Sequence, residues 1–135
     1  MLFRSDPGVH VGPLIDEAAR ERTEAYLAMA IEDGARLVLG GERPDDPALA
    51  HGAFLRPAIV DHVDPMSRVA QDEIFGPLLS VIRVPDLDAA WPAANQVAYG
   101  LSSSIYTRDV STAFRAMRAL GTGLVYVNEI GRAHV

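Results

Sequence analysis

The chain has 135 residues, of which 49% are hydrophobic and 22% are charged, and this balance is typical of a globular protein rather than a disordered one. Its formal net charge of −6 and its short apolar runs give no reason to expect a nucleic-acid partner or a membrane. Because cysteine is absent, the chain holds no disulfide, no thiolate metal site and no cysteine nucleophile.

The first predicted element is a helix that starts at Ile15 or Asp16 and ends near Gly34, a typical C-terminal cap. Its apolar side chains recur at three- and four-residue spacing, so one face should cover a sheet. That face comprises Ala19, Thr23, Tyr26, Leu27, Ala30 and Ile31, and the residues largely opposite are Arg20, Glu21, Glu24 and Glu32. Residues 35–39 then predict a strand, and residues 42–51 predict a loop.

Two more extended segments are predicted in the middle of the chain. Residues 54–63 form the first, and Pro57 limits how centrally it can pair because proline lacks the N–H of a strand ladder. The second, residues 78–84, is a nearly continuous apolar run, which is typical of a strand buried on both faces. His51 and His62 have no partners at metal-ligand spacing, so they are interpreted as surface histidines and no metal site is predicted.

The next helix is predicted from Leu87 to about Val97, with Asp86 as its N-cap. Pro92 lies inside this helix and predicts a kink or an early break, because proline removes a backbone hydrogen bond and crowds the preceding turn. Residues 102–107 predict a third buried strand. Its three consecutive serines lack a histidine–acid partnership and a strand-turn-helix elbow, so they favour a structural role over a nucleophilic one.

A helix and a strand complete the predicted elements. The helix spans residues 112–120 and is capped by Asp109 or Ser111. Its inward side chains should be Phe114, Met117 and Leu120. The strand, residues 124–127, ends at Asn128. Because strands alternate with helices, the sequence predicts the α/β class, with a mostly parallel sheet and covering helices.

The stretch Glu73-Ile74-Phe75-Gly76-Pro77 combines side chains that suit a ligand. The Glu73 carboxylate can accept two hydrogen bonds from a vicinal diol such as a ribose. The Phe75 ring offers a flat apolar face, and Gly76 lets the backbone pass close to a ligand. By residue chemistry alone, a solvated loop acid at Glu73 and a core anchor at Phe75 are the commoner alternatives.

The same stretch resembles the signature of the NAD(P)-dependent aldehyde dehydrogenase superfamily. Four further motifs occur in the expected order, namely Gly12-Pro13-Leu14, Gly52-x-Phe54-x-x-Pro57, Asn95-x-x-x-Tyr99-Gly100-Leu101-Ser102-Ser103-Ser104 with Thr107-Arg108-Asp109, and Gly123-Leu124-Val125-Tyr126-Val127-Asn128. Five motifs in order at family-like spacing form a specific pattern. One departure is Ala58, where the family often has threonine.

The resemblance implies part of the catalytic domain of an enzyme that oxidises an aldehyde to a carboxylate through a cysteine thioester, with NAD or NADP as the acceptor. It implies two cofactor-binding residues: Glu73 would bind the hydroxyls of the nicotinamide ribose, and Phe75 would pack beside it. Asn128 would hold loop backbone near the active site. The family's nucleophile and general base lie upstream, so the chain should contain no catalytic residue and be inactive alone.

The wider implications concern the parent enzyme. A small-molecule aldehyde is the expected substrate, and a cytoplasmic homodimer or homotetramer is the expected assembly. The run from Gly100 to Tyr106 resembles the branch that acts on semialdehydes of amino-acid catabolism. All 12 basic residues are arginine, which suggests a GC-rich bacterial genome.

The residues at both ends of the chain are predicted not to belong to the domain. The first five residues lack the apolar core and cleavage site of a signal peptide. They and the last six residues can be read from DNA strings that are reverse complements of each other and resemble a short-read sequencing adapter. We therefore expect residues 6–129 to be a partial aldehyde dehydrogenase catalytic domain, and residues 1–5 and 130–135 to be adapter-derived tails.

Two alternatives stay open at this point. One is a complete small α/β binding module without catalysis, although the chain stops soon after an apolar strand at Val127, as a cut segment would. The other is a pseudoenzyme that has lost its cysteine, which requires the genomic reading frame to end at Val135.

Overall fold

The computed structural model describes residues 11–129, so the predicted tails, residues 1–5 and 130–135, lie outside the described residues. The chain forms two compact units, the first ending at Arg83 and the second starting at Val84. Both contain helices and strands, which confirms the α/β class. Within residues 11–129, every helix is too short or too polar to cross a membrane.

The predicted elements occur in the predicted order, and a 3₁₀ turn and a second, short helix in the first unit are additional elements that the sequence did not predict. In the first unit the elements are α1 (Glu17–Glu32), β1 (Arg36–Leu39), a 3₁₀ turn (Pro47–Leu49), β2 (Ala58–Asp61), α2 (Arg68–Gln71) and β3 (Leu78–Val81). In the second unit they are α3 (Leu87–Asn95), β4 (Ser102–Ile105), α4 (Val110–Ala119) and β5 (Leu124–Val127).

The strands form two sheets, in which parallel pairs outnumber antiparallel ones. In the first unit the order is β1-β2-β3, with β2 parallel to β3 and antiparallel to β1. The β1–β2 connection contains only loop and a 3₁₀ turn, so no crossover helix returns the chain for a parallel pairing. In the second unit β4 and β5 are parallel. Pro57 directly precedes β2, which explains why β2 is nonetheless the central strand.

The core of the first unit lies between α1 and β2. Val60 is fully buried, and Leu27 and Ala30 of α1 belong to the same apolar cluster. Ala19 and Thr23 are also buried, so most of the predicted α1 face is confirmed. Ile31, however, is 47% exposed and does not belong to it.

Arg20 was predicted on the polar face of α1, and this prediction is wrong because the side chain is only 6% exposed. Its guanidinium forms ion pairs with Glu17 and Glu24, the latter at 3.6 Å. Its Nε is buried without a hydrogen-bond partner. Arg20 lines a cavity of about 210 Å³ together with residues 43–54, so the loop after β1 covers this part of α1.

The second unit buries far less, and two predictions about its buried residues are wrong. Phe114 and Met117 are 56% and 55% exposed, because the inward side of α4 consists of small residues around Ala116. Strand β4 alternates between exposed and half-buried residues instead of being buried. In the first unit a third prediction is wrong, because Leu79 is 58% exposed on β3, which was predicted to be buried on both faces.

The helix caps agree better with the sequence. The Asp86 carboxylate accepts a hydrogen bond from the Ala89 N–H at 2.9 Å, as predicted for α3. This helix continues to Asn95, three residues past Pro92, so the predicted early break at the proline is wrong. Asp109 rather than Ser111 caps α4, because its carboxylate accepts from the Thr112 N–H at 2.8 Å.

Candidate functional site

The candidate site is the loop of residues 72–77, in which alternate residues have opposite environments. Asp72, Ile74 and Gly76 are held against α1 or α2, whereas Glu73 and Phe75 are exposed. The carboxylate and the ring singled out in the sequence are therefore the exposed side chains of an anchored loop.

The first anchor is the side chain of Asp72. Its Oδ2 accepts hydrogen bonds from the Tyr26 hydroxyl at 2.8 Å and from the Arg68 Nε and Nη2 at 3.2 and 3.1 Å. The Tyr26 hydrogen bond and then the Arg68 guanidinium hold the pKa of Asp72 below its usual value. The same hydrogen bond raises the pKa of Tyr26, because loss of the phenolic proton would place two negative charges side by side.

The second and third anchors lie at Ile74 and Gly76. The Ile74 carbonyl accepts a hydrogen bond from the Arg22 Nε at 3.3 Å, and its side chain packs against the core of the first unit. Gly76 sits so close to Thr23 that an added Cβ would be 2.1 Å from the Thr23 Oγ1. Gly76 is thus required by close packing against α1.

Phe75 has an unusual backbone for an aromatic residue. Its φ of 53° lies in the left-handed region, which is strained for a bulky side chain. The ring is 78% exposed, so the interpretation of Phe75 as a core anchor does not hold in this structure. Glu73 is exposed as well, and among residues 11–129 its carboxylate has no hydrogen bond or ion pair.

A cavity of about 550 Å³ borders this loop. Phe75, Gly76 and Pro77 line one part of it, and the segment of residues 11–15 lines another. Arg22 is the cation among the described lining residues, and Glu73 is not part of the lining. The structure therefore brings the Gly12-Pro13-Leu14 motif beside Phe75, which the sequence pattern did not predict from residue chemistry.

A backbone hydrogen bond joins the Gly52-x-Phe54-x-x-Pro57 motif to the Gly12-Pro13-Leu14 motif. The Leu14 N–H donates to the Ala53 carbonyl at 2.9 Å. Gly52 leaves room for a ring, since an added Cβ would be 2.4 Å from the Phe54 Cε2. Three of the five motifs thus meet in the first unit through specific contacts.

In the second unit, Asn128 holds the end of β4 in place. Its Oδ1 accepts from the Thr107 N–H at 2.9 Å, and its Nδ2 donates to the Thr107 carbonyl at 3.0 Å. Its own N–H donates to the Ile105 carbonyl at 2.8 Å. Asn128 therefore has the backbone-holding contact that the resemblance implies. It lines a cavity of about 520 Å³ with residues 106–108.

The other polar motif residues of this unit have structural contacts. Asn95 bridges α3 to the end of α4, because its amide donates to the Ala119 carbonyl at 2.6 Å and accepts from the Gly121 N–H at 2.8 Å. The Ser103 and Thr122 hydroxyls are 2.6 Å apart. Neither arrangement contains a base that could activate a serine.

The histidines do not form a metal centre within the described part of the chain. No group of three or more metal-ligating side chains occurs among residues 11–129. His51 is exposed, and the His62 Nδ1 lies 3.3 Å from the Asp61 Oδ2.

Comparisons with known proteins converge on one family. The model of the aldehyde dehydrogenase family matches residues 3–135. The chain is 44% identical over 127 residues to 5-carboxymethyl-2-hydroxymuconate semialdehyde dehydrogenase from Escherichia coli, covering 92% of this chain and 27% of the relative. It is 39% identical over 124 residues to an NADP(+) succinate-semialdehyde dehydrogenase from Deinococcus radiodurans, covering 92% and 25%.

Solved structures give the same result. An aldehyde dehydrogenase from Mycobacterium tuberculosis complexed with NAD+ matches with a TM-score of 0.88 and 41% identity, covering 95% of this chain and 26% of that one. A structure from Burkholderia cenocepacia matches with a TM-score of 0.90 and 39% identity, covering 96% and 26%. The chain thus spans about a quarter of the length of the relatives it matches.

Proposed function

The chain belongs to the aldehyde dehydrogenase family, and from this premise we propose that it is a segment of a longer enzyme that oxidises an aldehyde to a carboxylate with NAD or NADP as acceptor. The observation that supports this best is the anchored loop of residues 72–77. It presents a carboxylate and an aromatic ring together, and both are exposed.

The role of this segment in the longer enzyme is to supply the nicotinamide-ribose side of the cofactor site. Glu73 fits a ribose diol because its carboxylate has no partner among residues 11–129 and is free to accept two hydrogen bonds. Phe75 fits the flank of the ribose because its ring borders a cavity and is 78% exposed. When bound, the cofactor supplies the hydride acceptor, and these two residues orient it.

This segment holds no cysteine, so it contributes no nucleophile to the reaction. We expect the purified 135-residue chain to convert no aldehyde with NAD or NADP. Turnover of any aldehyde by this chain, measured as NADH or NADPH absorbance, would show that the chemistry needs nothing outside it.

Replacement of Glu73 by Gln in the longer enzyme tests the ribose role. The change keeps the shape and removes the charge, so the binding free energy of the cofactor should weaken by about 1–3 kcal/mol, roughly fivefold to 150-fold in affinity. Glu21→Gln, at an exposed position on α1, is the matched control and should leave cofactor affinity unchanged. Equal cofactor affinities for the wild type and Glu73→Gln, measured by fluorescence titration, would make Glu73 a bystander.

For the substrate, we propose a semialdehyde, which carries a carboxylate beside the aldehyde. The support is that relatives with about 40% identity include enzymes named for semialdehydes. The longer enzyme should then have a higher kcat/KM for a semialdehyde than for an uncharged aldehyde of the same chain length. A preference for the uncharged aldehyde would contradict this assignment.

The tails, the bacterial source, the cytoplasmic location and the homodimeric or homotetrameric parent stay predictions. Long-read sequencing of the source locus tests the first of these directly. If the reading frame continues beyond both ends into a cysteine-bearing segment, residues 6–129 are the genuine part of a dehydrogenase. If the frame starts at Met1 and stops at Val135, the binding-module and pseudoenzyme alternatives take precedence.

A further inference from the structure

We propose that Tyr26, Arg68 and Asp72 form a positioning cluster that sets the direction of Glu73 and Phe75 toward the cofactor. This inference rests on the proposed function, because it assigns a purpose to the loop that presents these two side chains. None of the three residues touches the cofactor in the proposal. They act through the backbone of the neighbouring residue, so they are positioning residues.

The geometry of the cluster makes Asp72 a fixed point in the chain. Three donors, the Tyr26 hydroxyl at 2.8 Å and the Arg68 Nε and Nη2 at 3.2 and 3.1 Å, converge on one oxygen of its carboxylate. The donors come from two different elements, α1 and α2. The Arg68 guanidinium also lies 5.7 Å from the centre of the Tyr26 ring, so the two donors support each other.

Asp72 can influence Glu73 because the two residues are adjacent in the sequence. A change in the backbone direction of Asp72 therefore moves the Glu73 carboxylate. Displacements of about 1 Å in a binding group can reduce rates by roughly a hundredfold. The Arg22 hydrogen bond to the Ile74 carbonyl then secures the other side of Glu73.

Phe75 provides independent support for a positioning role. Its left-handed φ of 53° is strained, and such a conformation persists only when surrounding contacts determine it. The contacts that do so are the anchored residues before and after it, Ile74 and Gly76, and the loop containing them begins at Asp72. Loss of the cluster would free the start of this loop, so that only the contacts at Ile74 and Gly76 would then hold Phe75 in its strained conformation.

The exposure of the cluster argues against a merely global role in stability. The Arg68 and Asp72 side chains are 68% and 38% exposed. Ion pairs at such exposed positions stabilise a fold little, because water screens them and the long side chains lose entropy. The same contacts are sufficient to select one conformation of a short loop, which is where their effect should appear.

The test compares Tyr26→Phe and Asp72→Asn with the control Arg43→Gln in the longer enzyme. Arg43 forms an equally short pair with Glu24, at 2.7 and 2.9 Å, on the same helix α1, but it does not contact the loop. We expect KM for NAD or NADP to rise about fivefold to tenfold in the two cluster variants, with KM for the aldehyde unchanged. The control should change neither KM. The rise in KM for the nucleotide should be smaller in Arg68→Lys than in Arg68→Met.

A second measurement uses the 135-residue chain and does not depend on the enzyme activity. The NMR order parameters of the Glu73 and Phe75 backbone amides should fall from about 0.85 to below about 0.6 in Asp72→Asn and stay unchanged in Arg43→Gln. If Asp72→Asn does not fold, Tyr26→Phe takes its place in this measurement, because phenylalanine keeps the packing of the ring.

The outcomes separate this inference from the proposed function. If Glu73→Gln raises the nucleotide KM while Tyr26→Phe and Asp72→Asn leave it unchanged, the positioning role is overturned and the proposed function stands. If Glu73→Gln leaves it unchanged too, the loop does not bind the cofactor and both are overturned. Unchanged order parameters of the Glu73 and Phe75 amides in Asp72→Asn would overturn the positioning role by themselves.

Discussion

The two units of the molecule use the same kinds of element but bury very different amounts of their side chains. The first has a continuous apolar core in which Val60 of β2 is fully buried against Leu27 and Ala30 of α1. In the second, Ala116 of α4 is the one buried residue within residues 84–129. Phe114, on the same helix, is 56% exposed.

The number of strands accounts for this difference. In the first unit, β2 has a neighbour on each side and α1 above it, so large side chains are enclosed. The described part of the second unit contains one strand pair, β4 and β5, so both of these strands are edge strands. The apolar face of a helix predicts its buried side reliably only where the sheet against which it packs is wide enough to cover that face.

The largest expected effect comes from a buried charge in the first unit, Asp61. Its carboxylate is 4% exposed and accepts hydrogen bonds from the Arg83 Nε and Nη2 at 2.9 and 2.6 Å, with Arg36 at 3.3 Å. Asp61→Asn would replace one acceptor oxygen at this buried site by an NH2 group that faces the arginine N–H donors, so this variant should lose the most stability of those considered. Urea denaturation of the 135-residue chain, followed by NMR signals of the first unit, measures the loss.

The same residue predicts a pH dependence. The hydrogen bonds from Arg83 hold the pKa of Asp61 well below its ordinary value, so the folded state favours the ionised form. Its contribution to stability is then complete above about pH 5 and is lost as the pH falls through the folded-state pKa. The gap between the wild type and Asp61→Asn should therefore narrow below about pH 4. Asp45→Asn, at a 96% exposed side chain, should show no such gap, and a gap that widens in acid would contradict the assignment.

A matched pair of valines sharpens the comparison between the units. Val60→Ala removes two methyl groups from a fully buried site and should cost about 2 kcal/mol in the free energy of unfolding of the first unit. Val127→Ala, at a 37% exposed position in β5, should cost the second unit less than about 1 kcal/mol. Denaturation followed separately through NMR signals of each unit measures both, and equal losses would mean that the two cores are equally tight.

The smallest expected effect is at the face of α4 that the sequence predicted to be buried. Phe114→Ala should change the free energy of unfolding of the 135-residue chain by less than about 0.5 kcal/mol, because the ring is 56% exposed. Leu27→Ala, at an 8% exposed site on α1, is the contrasting variant and should cost about 3 kcal/mol. A loss above about 2 kcal/mol at Phe114 would show that this ring is buried in solution.

The local elements could be predicted well because their signals are local. Asp86 caps α3 as predicted, because its carboxylate accepts a hydrogen bond from the Ala89 N–H, three residues later, at 2.9 Å. Gly34 follows α1 with a φ of 93°, which favours glycine. Each of these features depends on a few neighbouring residues, so a single sequence is sufficient to reveal it.

The site could be predicted only in part. The sequence singled out Glu73 and Phe75, because a carboxylate and a ring two residues apart before Gly-Pro form a visible pattern. It did not predict the anchors of that loop. Tyr26 and Arg68 lie 46 and 4 positions from Asp72, and no periodicity links α1 to a loop so far along the chain.

The sequence by itself determined the order of the longer helices and the strands, the Asp86 cap, the α/β class and the motifs of the aldehyde dehydrogenase family. The tertiary structure alone decided which faces are covered: it buried Arg20, exposed Phe114 and made β3 an edge. The physical reason is that hydrogen bonds within a helix or a cap join near neighbours in the chain, whereas burial depends on which distant segment lies alongside. The contacts from α1 and α2 to Asp72 belong to this second class, because they join residues from three separate parts of the first unit.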